Sequence, residues 1–241
     1  MPQTQGRDEN DKIGSKYIPG EEKMKRVALV VLVLVVAFAT APDSSLAALR
    51  GGKAKFVMVN SNSAVALRMA MRKLWEDHIT YTSFYITSAL AGSDDAGKVA
   101  ERLLKNQEDL GNAIKPVYGE AAGNKLTALL KDHILIAVDL VKAAKEGSEE
   151  ATAAADKKWH KNGEDIAEFL SGANPVNWPK KALTDMMFAH LAVTKDAVVA
   201  KLKKDHAAAI VAYDKGHDHI LMMADALADG IVKQFPEKFR K

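Results

Sequence analysis

Asp132-His133-Ile134-Leu135-Ile136-Ala137-Val138-Asp139-Leu140 is the stretch on which the fold turns. His133 shares one helical face with Leu129, Leu130, Ile136, Ala137 and Leu140, and no period-two alternation runs through the segment, so it predicts an amphipathic helix. An imidazole sits on its apolar stripe. The tripeptide Asp-His-Ile at its start returns as Asp77-His78-Ile79 and as Asp218-His219-Ile220. A histidine that keeps returning to apolar faces needs a physical reason, because a polar group buried without a partner costs several kcal/mol.

Outward from this segment the chain reads as a series of helices separated by turn chemistry. The first is expected from Asn62 to Ala91, with Leu67, Met71, Leu74, Trp75, His78, Thr82 and Tyr85 on one stripe. Gly92-Ser93-Asp94-Asp95 ends it and caps a second, which runs to about Ile114, ahead of Pro116 and Gly119. The third spans Glu120 to Lys145 and the fourth runs from Ser148 to Ser171, before the clear loop Gly172-Ala173-Asn174-Pro175-Val176-Asn177-Trp178-Pro179. A fifth is expected from Pro179 to about Val193 and a long sixth from Asp196 to Gln234, with a bend near Gly216.

The spacing carries an internal repeat. His78, His133 and His190 recur at nearly equal intervals, each in the helix that opens a hairpin, and Asn106 and Asp109 return after the same interval as Asn162 and Asp165. The third hairpin keeps its histidine but carries Asp214, Asp218 and Asp225 in place of Asn-x-x-Asp. The architecture predicted is all-α, an antiparallel bundle of about six helices in three hairpins over residues 62–237.

Composition agrees with helices, since aromatic residues are only 6% of the chain and β-branched alternation is scarce. The formal net charge is +3, and cations and anions are interleaved along the helices, so nucleic acid is not an expected partner. Cysteine is absent, which removes disulfides, thiol nucleophiles and thiolate metal sites. At the N-terminus, Lys25 and Arg26 precede an apolar run from Val27 to Ala41 and small-residue patterns ending at Ala47. Residues 24–47 read as a signal peptide, with a membrane anchor over 27–41 as the alternative, since a span needs about 20 apolar residues. The expected location is therefore periplasmic or extracellular, and the membrane is met only through an uncleaved leader. Residues 1–23 read as a disordered extension or as the product of a mis-assigned start, with Met24 the functional one, and residues 48–61 as a linker.

The buried polar residues are the candidates for function. His78, His133 and His190 on the opening helices face Asn106, Asp109, Asn162 and Asp165 on their partners, and such groups must find one another or a ligand. One reading is a hydrogen-bonded network that fixes helix register in a structural or binding protein, with a small ligand or another protein as partner. The second is a transition-metal site for iron, manganese or zinc, with His78, His133, His190, Asp109 and Asp165 as ligands. Against it, the Glu-x-x-His pattern of diiron bundles is missing. His217 and His219 diverge by about 200° on a helix, so they do not share an ion. His160 stands among Lys157, Lys158 and Lys161 and reads as surface. An enzyme is the third reading, because no phosphate loop, nucleophile elbow or His-Glu-x-x-His zinc motif is present.

Several strings carry a resemblance: Leu74-Trp75-Glu76-Asp77-His78, Leu103-Leu104-Lys105-Asn106-Gln107-Glu108-Asp109, Val117-Tyr118-Gly119, the stretch 132–140, Trp159-His160-Lys161-Asn162-Gly163-Glu164-Asp165-Ile166, and Asp229-Gly230-Ile231-Val232-Lys233-Gln234-Phe235-Pro236. Over residues 65–237 the chain resembles a family of uncharacterised bacterial all-helical proteins. The resemblance implies a helical fold and carries over no catalytic residue. Similar sequences sometimes bear the labels glycosyltransferase or acetylglutamate kinase. Both activities need a nucleotide site on an α/β scaffold, for which this chain has no sheet.

Overall fold

Five α-helices fill the computed structural model, which describes residues 61–240: α1 (Asn62–Ala91), α2 (Ala96–Glu146), α3 (Glu149–Ala173), α4 (Lys180–Leu202) and α5 (His206–Gln234), followed by a short 3-10 turn over Pro236–Phe239. The described residues contain no strand, so the fold is all-α. The readings of the start, the leader and all of the linker but Ser61 fall outside the described residues. Among those described, no helix is long and apolar enough to cross a membrane.

Each boundary has a local cause. Ser61 opens α1 by accepting the Ala64 N–H, and Ser148 opens α3 by accepting that of Ala151. The helices α1 and α2 close on Gly92 and Gly147, both left-handed. The expected end of α4 near Val193 is not found there. It continues to Leu202, and the turn is Lys203-Lys204-Asp205, with Lys204 at φ 57 and the Asp205 side chain accepting from Ala208 N. Neither Gly nor Pro marks that turn, which is why the sequence hides it. Gly163, a poor helix former, does not interrupt α3, which passes through it without a break.

The count is five where six were expected, because the second and third predicted helices form one element, α2. Only Gly119 leaves helical geometry inside it, at φ 84 and ψ 169, a region that side chains rarely enter. The chain doubles back there. A Cβ on Gly111 would stand 2.6 Å from the Gly123 carbonyl oxygen, and Lys131 Nζ reaches Glu108 at 2.6 Å, so the two halves of α2 lie antiparallel and touching. From there α3 packs on α2 and α4, α5 packs on α4 and α1, and α1 returns to α2. Arg68–Asp229 at 2.5 Å and Arg72–Asp225 at 2.6 Å fix the antiparallel register of α1 against α5.

The interior is closed by Leu110, Ile166, Leu191 and Ile220, all essentially inaccessible. Each contributes roughly 1.5–3 kcal/mol by leaving water. The loop after α3 is part of this core. Trp178 is buried and donates to the Ala226 carbonyl oxygen at 3.2 Å, while Asn174 Nδ2 donates to that of Gly230 at 2.9 Å. Gly230 is needed for this docking, because a Cβ there would stand 2.0 Å from Trp178 Nε1.

Candidate functional site

The three opening-helix histidines meet. His78 from α1, His133 from the second half of α2 and His190 from α4 are 2%, 2% and 3% exposed, with ring centroids 5.6 Å apart for His78–His190 and 5.9 Å for His133–His190. Two tryptophans flank the row, Trp75 at 5.5 Å from His78 and Trp159 at 5.2 Å from His133. The three imidazoles and Trp159 line a cavity of about 20 Å³ whose other walls are largely apolar and include Tyr85 and Lys195. A space of about 10–15 Å³ is the least that holds one water, so no substrate fits there.

The polar partners repeat from seam to seam. Asn106 Nδ2 donates to the Leu74 carbonyl oxygen at 2.9 Å, and Asn162 Nδ2 donates to that of Leu129 at 3.1 Å. In both cases the acceptor lies one helical turn before the histidine. The third seam obeys the same rule with another side chain, because His219 Nε2 donates to the carbonyl oxygen of Met186, one turn before His190, at 2.9 Å. His219 follows His190 at the same interval at which Asn162 follows His133. So the third copy of Asp-His-Ile is not the counterpart of the first two. Its imidazole stands in the place of an asparagine.

The seams differ in what they give the central ring. Asn162 Oδ1 accepts from His133 Nδ1 at 2.7 Å, which fixes the tautomer and leaves Nε2 as a bare lone pair. At the first seam Gln107 Nε2 stands 3.3 Å from His78 Nδ1 and also donates to the Leu103 carbonyl oxygen at 2.8 Å and to Asn106 Oδ1 at 3.1 Å. At the third, His219 is committed to Met186 and brings no amide oxygen, and His190 Nδ1 is buried without a hydrogen-bond partner. His133 Nε2 and Gln107 Oε1 are in the same state. Thr82 and Thr194 turn their hydroxyls back to the carbonyl oxygens of His78 and His190.

Burial sets the protonation of the cluster. It pushes His78 down to about 3, helped by the charge of His133 and opposed by Gln107. Burial likewise pushes His133 down to about 4, opposed by the Asn162 hydrogen bond. His190 falls well below the ordinary histidine value through burial and then through His78, His133 and His219. Near neutral pH all three rings are therefore neutral. Lys195, whose side chain is 4% exposed, is lowered by burial and held by Asp156 at 2.8 Å.

Asp109 and Asp165 do not join the histidines. Asp109 pairs with Lys105 at 3.0 Å and Asp165 pairs with Lys161, both on the rim of the bundle. Three residues along a helix rotate a side chain by about 60° from its starting face, enough to move it from the core stripe to the edge. Asp214 and Asp218 likewise do not replace them, and Asp225 pairs with Arg72. Among the described residues, no group of three or more His, Asp or Glu side chains is placed to hold a metal ion. Gln107 and His219 are the members that sequence reasoning missed. His217 stands apart from the cluster, 3.4 Å from Glu76, and His160 is partly buried, with Nδ1 on the Asp156 carbonyl oxygen at 2.9 Å.

A second, wholly apolar cavity of about 30 Å³ lies below the cluster between Trp75, Leu110, Ile166 and Met187. Outside, an open groove of about 700 Å³ runs between α2 and α3 past Asp132, Leu135, Asp139, Lys157 and Lys158, with Asn162 on its floor. No family model, no curated protein and no solved structure matches the chain.

Proposed function

We propose that this protein is an exported helical bundle with a structural or binding role, not a catalyst, and that its buried His/Asn network serves to lock helix register. The observation that carries the reading is the enclosure of the three imidazoles, 2–3% exposed around a space that admits about one water. No substrate reaches them without the parting of a seam. The finer architecture belongs to the same proposal: with α2 doubled back at Gly119, six helical rods form three hairpins, each locked by a side chain that donates to the carbonyl one turn before the histidine. Among the described residues, the groove between α2 and α3 offers the room for a small ligand or a protein partner. Export is supported by Lys25 and Arg26 ahead of the apolar run Val27–Ala41.

The test uses untagged full-length protein. His133→Leu is expected to lower stability while helix content stays unchanged, and elemental analysis of the parent is expected to find less than about 0.1 equivalent of transition metal. One equivalent of metal per chain overturns the reading. That outcome supports the second one, a metal-binding bundle, which one observation favours: His133 Nε2 and His190 Nδ1 are both buried without a partner, and both rings line one cavity.

A further inference from the structure

We propose that the seam between α4 and α5 is an acid-sensitive joint, in which His190 and His219 stand where the other two seams use a neutral amide, so that acidification opens this hairpin first. The proposal rests on the structural reading above only through the equivalence of the three seams.

Equivalence is what makes the difference legible. Three donors reach three matching carbonyl oxygens, on Leu74, Leu129 and Met186. Two of those donors are amides, which do not titrate. The third is an imidazole, and a carbonyl acceptor selects its Nε2–H form. The amide of Asn162 also offers an oxygen to His133 Nδ1, whereas His190 Nδ1 is left with no partner. One seam thus holds two titratable rings, with no amide bonded to His190 Nδ1, where the equivalent seam of α2 and α3 holds one ring bonded at Nδ1 to an amide and unpaired only at Nε2.

The charges around the joint all act the same way. His190 feels His78 from α1, His133 from α2 and His219 from α5, each of which repels a proton on His190 once it carries one itself. On the α3 side stands Trp159 at the cavity wall, and Asp156 of the same helix is engaged by Lys195 of α4 at 2.8 Å. At His219 burial opposes the charged form, and the Met186 carbonyl favours it. A proton bound at this seam therefore enters a dry interior, with no carboxylate among the groups that shift His190 or His219, and opening the seam to water is the available relief.

Linkage gives the sign. Both rings lie below their unfolded value of about 6.5, so the opened state binds more protons below that pH. The contribution of these two rings to stability is flat above it and falls as pH drops through the window beneath it.

His219→Asn in the full chain tests the proposal, since an amide there can donate to Met186 and accept from His190 Nδ1. Acid unfolding followed by near-ultraviolet circular dichroism is expected to shift its midpoint down by about half a pH unit or more relative to the parent. An unchanged or raised midpoint overturns the proposal. Hydrogen exchange on the parent protein gives an independent readout should the variant fail to fold. Between about pH 7 and pH 5, amides of residues 186–194 and 216–224 are expected to lose protection before those of 129–137 and 159–167. Simultaneous loss, or the reverse order, overturns it. If the joint fails while the His133–Asn162 coupling described below holds, the register reading survives alone.

Discussion

Replacing both members of the His133–Asn162 pair, singly and together, measures what the network contributes. Asn162→Leu removes the acceptor of the 2.7 Å bond from His133 Nδ1 and the 3.1 Å bond to the Leu129 carbonyl oxygen. The carbonyl keeps its helical bond. The ring N–H is left 2% exposed with nothing to bond, so the loss of a net hydrogen bond plus an orphaned donor costs about 3 kcal/mol. His133→Leu leaves the Asn162 amide oxygen unpaired instead, an acceptor that keeps its neighbouring Nδ2 bond to the Leu129 carbonyl, at a cost of about 1.5 kcal/mol. The double variant removes donor and acceptor together and is expected to cost about 2 kcal/mol, less than the two singles added. The coupling is then about 2.5 kcal/mol. Urea unfolding reads it, because at a slope of about 2–3 kcal/mol/M the Asn162→Leu midpoint moves by about 1 M or more. Strict additivity of the two changes, or a cost for Asn162→Leu below about 0.5 kcal/mol, would refute the claim that these side chains form a lock.

Three further outcomes are expected. Gly119→Ala places a side chain at φ 84, ψ 169, and the strain of about 1–3 kcal/mol should lower the melting temperature by roughly 3–10 °C with helix content unchanged; no shift would contradict the tight reversal in α2. Gly230→Ala drives a Cβ into Trp178, for which relief requires the indole to leave the Ala226 carbonyl. A loss of about 2 kcal/mol and a red-shifted tryptophan emission are expected, and an unshifted spectrum at full stability would count against the docked loop. Mass spectrometry of protein recovered from outside the cytoplasm should find a new N-terminus between residues 40 and 48, and retention of Met24 to Ala41 would favour the anchor instead.

Legibility in the sequence followed the strength of the local signal. The first helix could be bounded from Asn62 to Ala91 because its apolar stripe runs at the helical period up to the glycine that follows it. The turn at Lys203-Lys204-Asp205 could not, because charged residues continue a helical face as readily as they end it. Gly119 marked a break that is real in its dihedrals, yet the reversal is so tight that both halves of α2 count as one element. In the site, the repeat of Asn106 and Asn162 pointed to the right side chains. Asp109 and Asp165 followed them only because residues three apart share a face loosely. His219 stayed hidden behind its own tripeptide: Asp218-His219-Ile220 repeats the letters of Asp132-His133-Ile134, whereas its place in the fold is that of Asn162. Its distance along the chain from His190, equal to that between His133 and Asn162, was the signal that carried the information.

A bundle with stripes of Leu, Ile and Ala has little to say about register, because apolar side chains pack in neighbouring holes nearly as well as in their own. A slip of one turn moves a helix by about 5.4 Å past its neighbour. At that displacement no amide or imidazole keeps its carbonyl, and each of the three locks leaves its donor stranded. At about 1–3 kcal/mol for every stranded group, the slipped packing is disfavoured by about 3–9 kcal/mol, of the order of a whole domain's stability. The locks thus have value as selectors of one packing even where their net contribution to the native state is small. Neutral rings suit that task better than ions, since desolvating a charge costs more than the pairing returns. Asparagine and histidine therefore do the same geometric work at neutral pH, and they part company only when protons become plentiful, at the one seam where the donor itself can take one up.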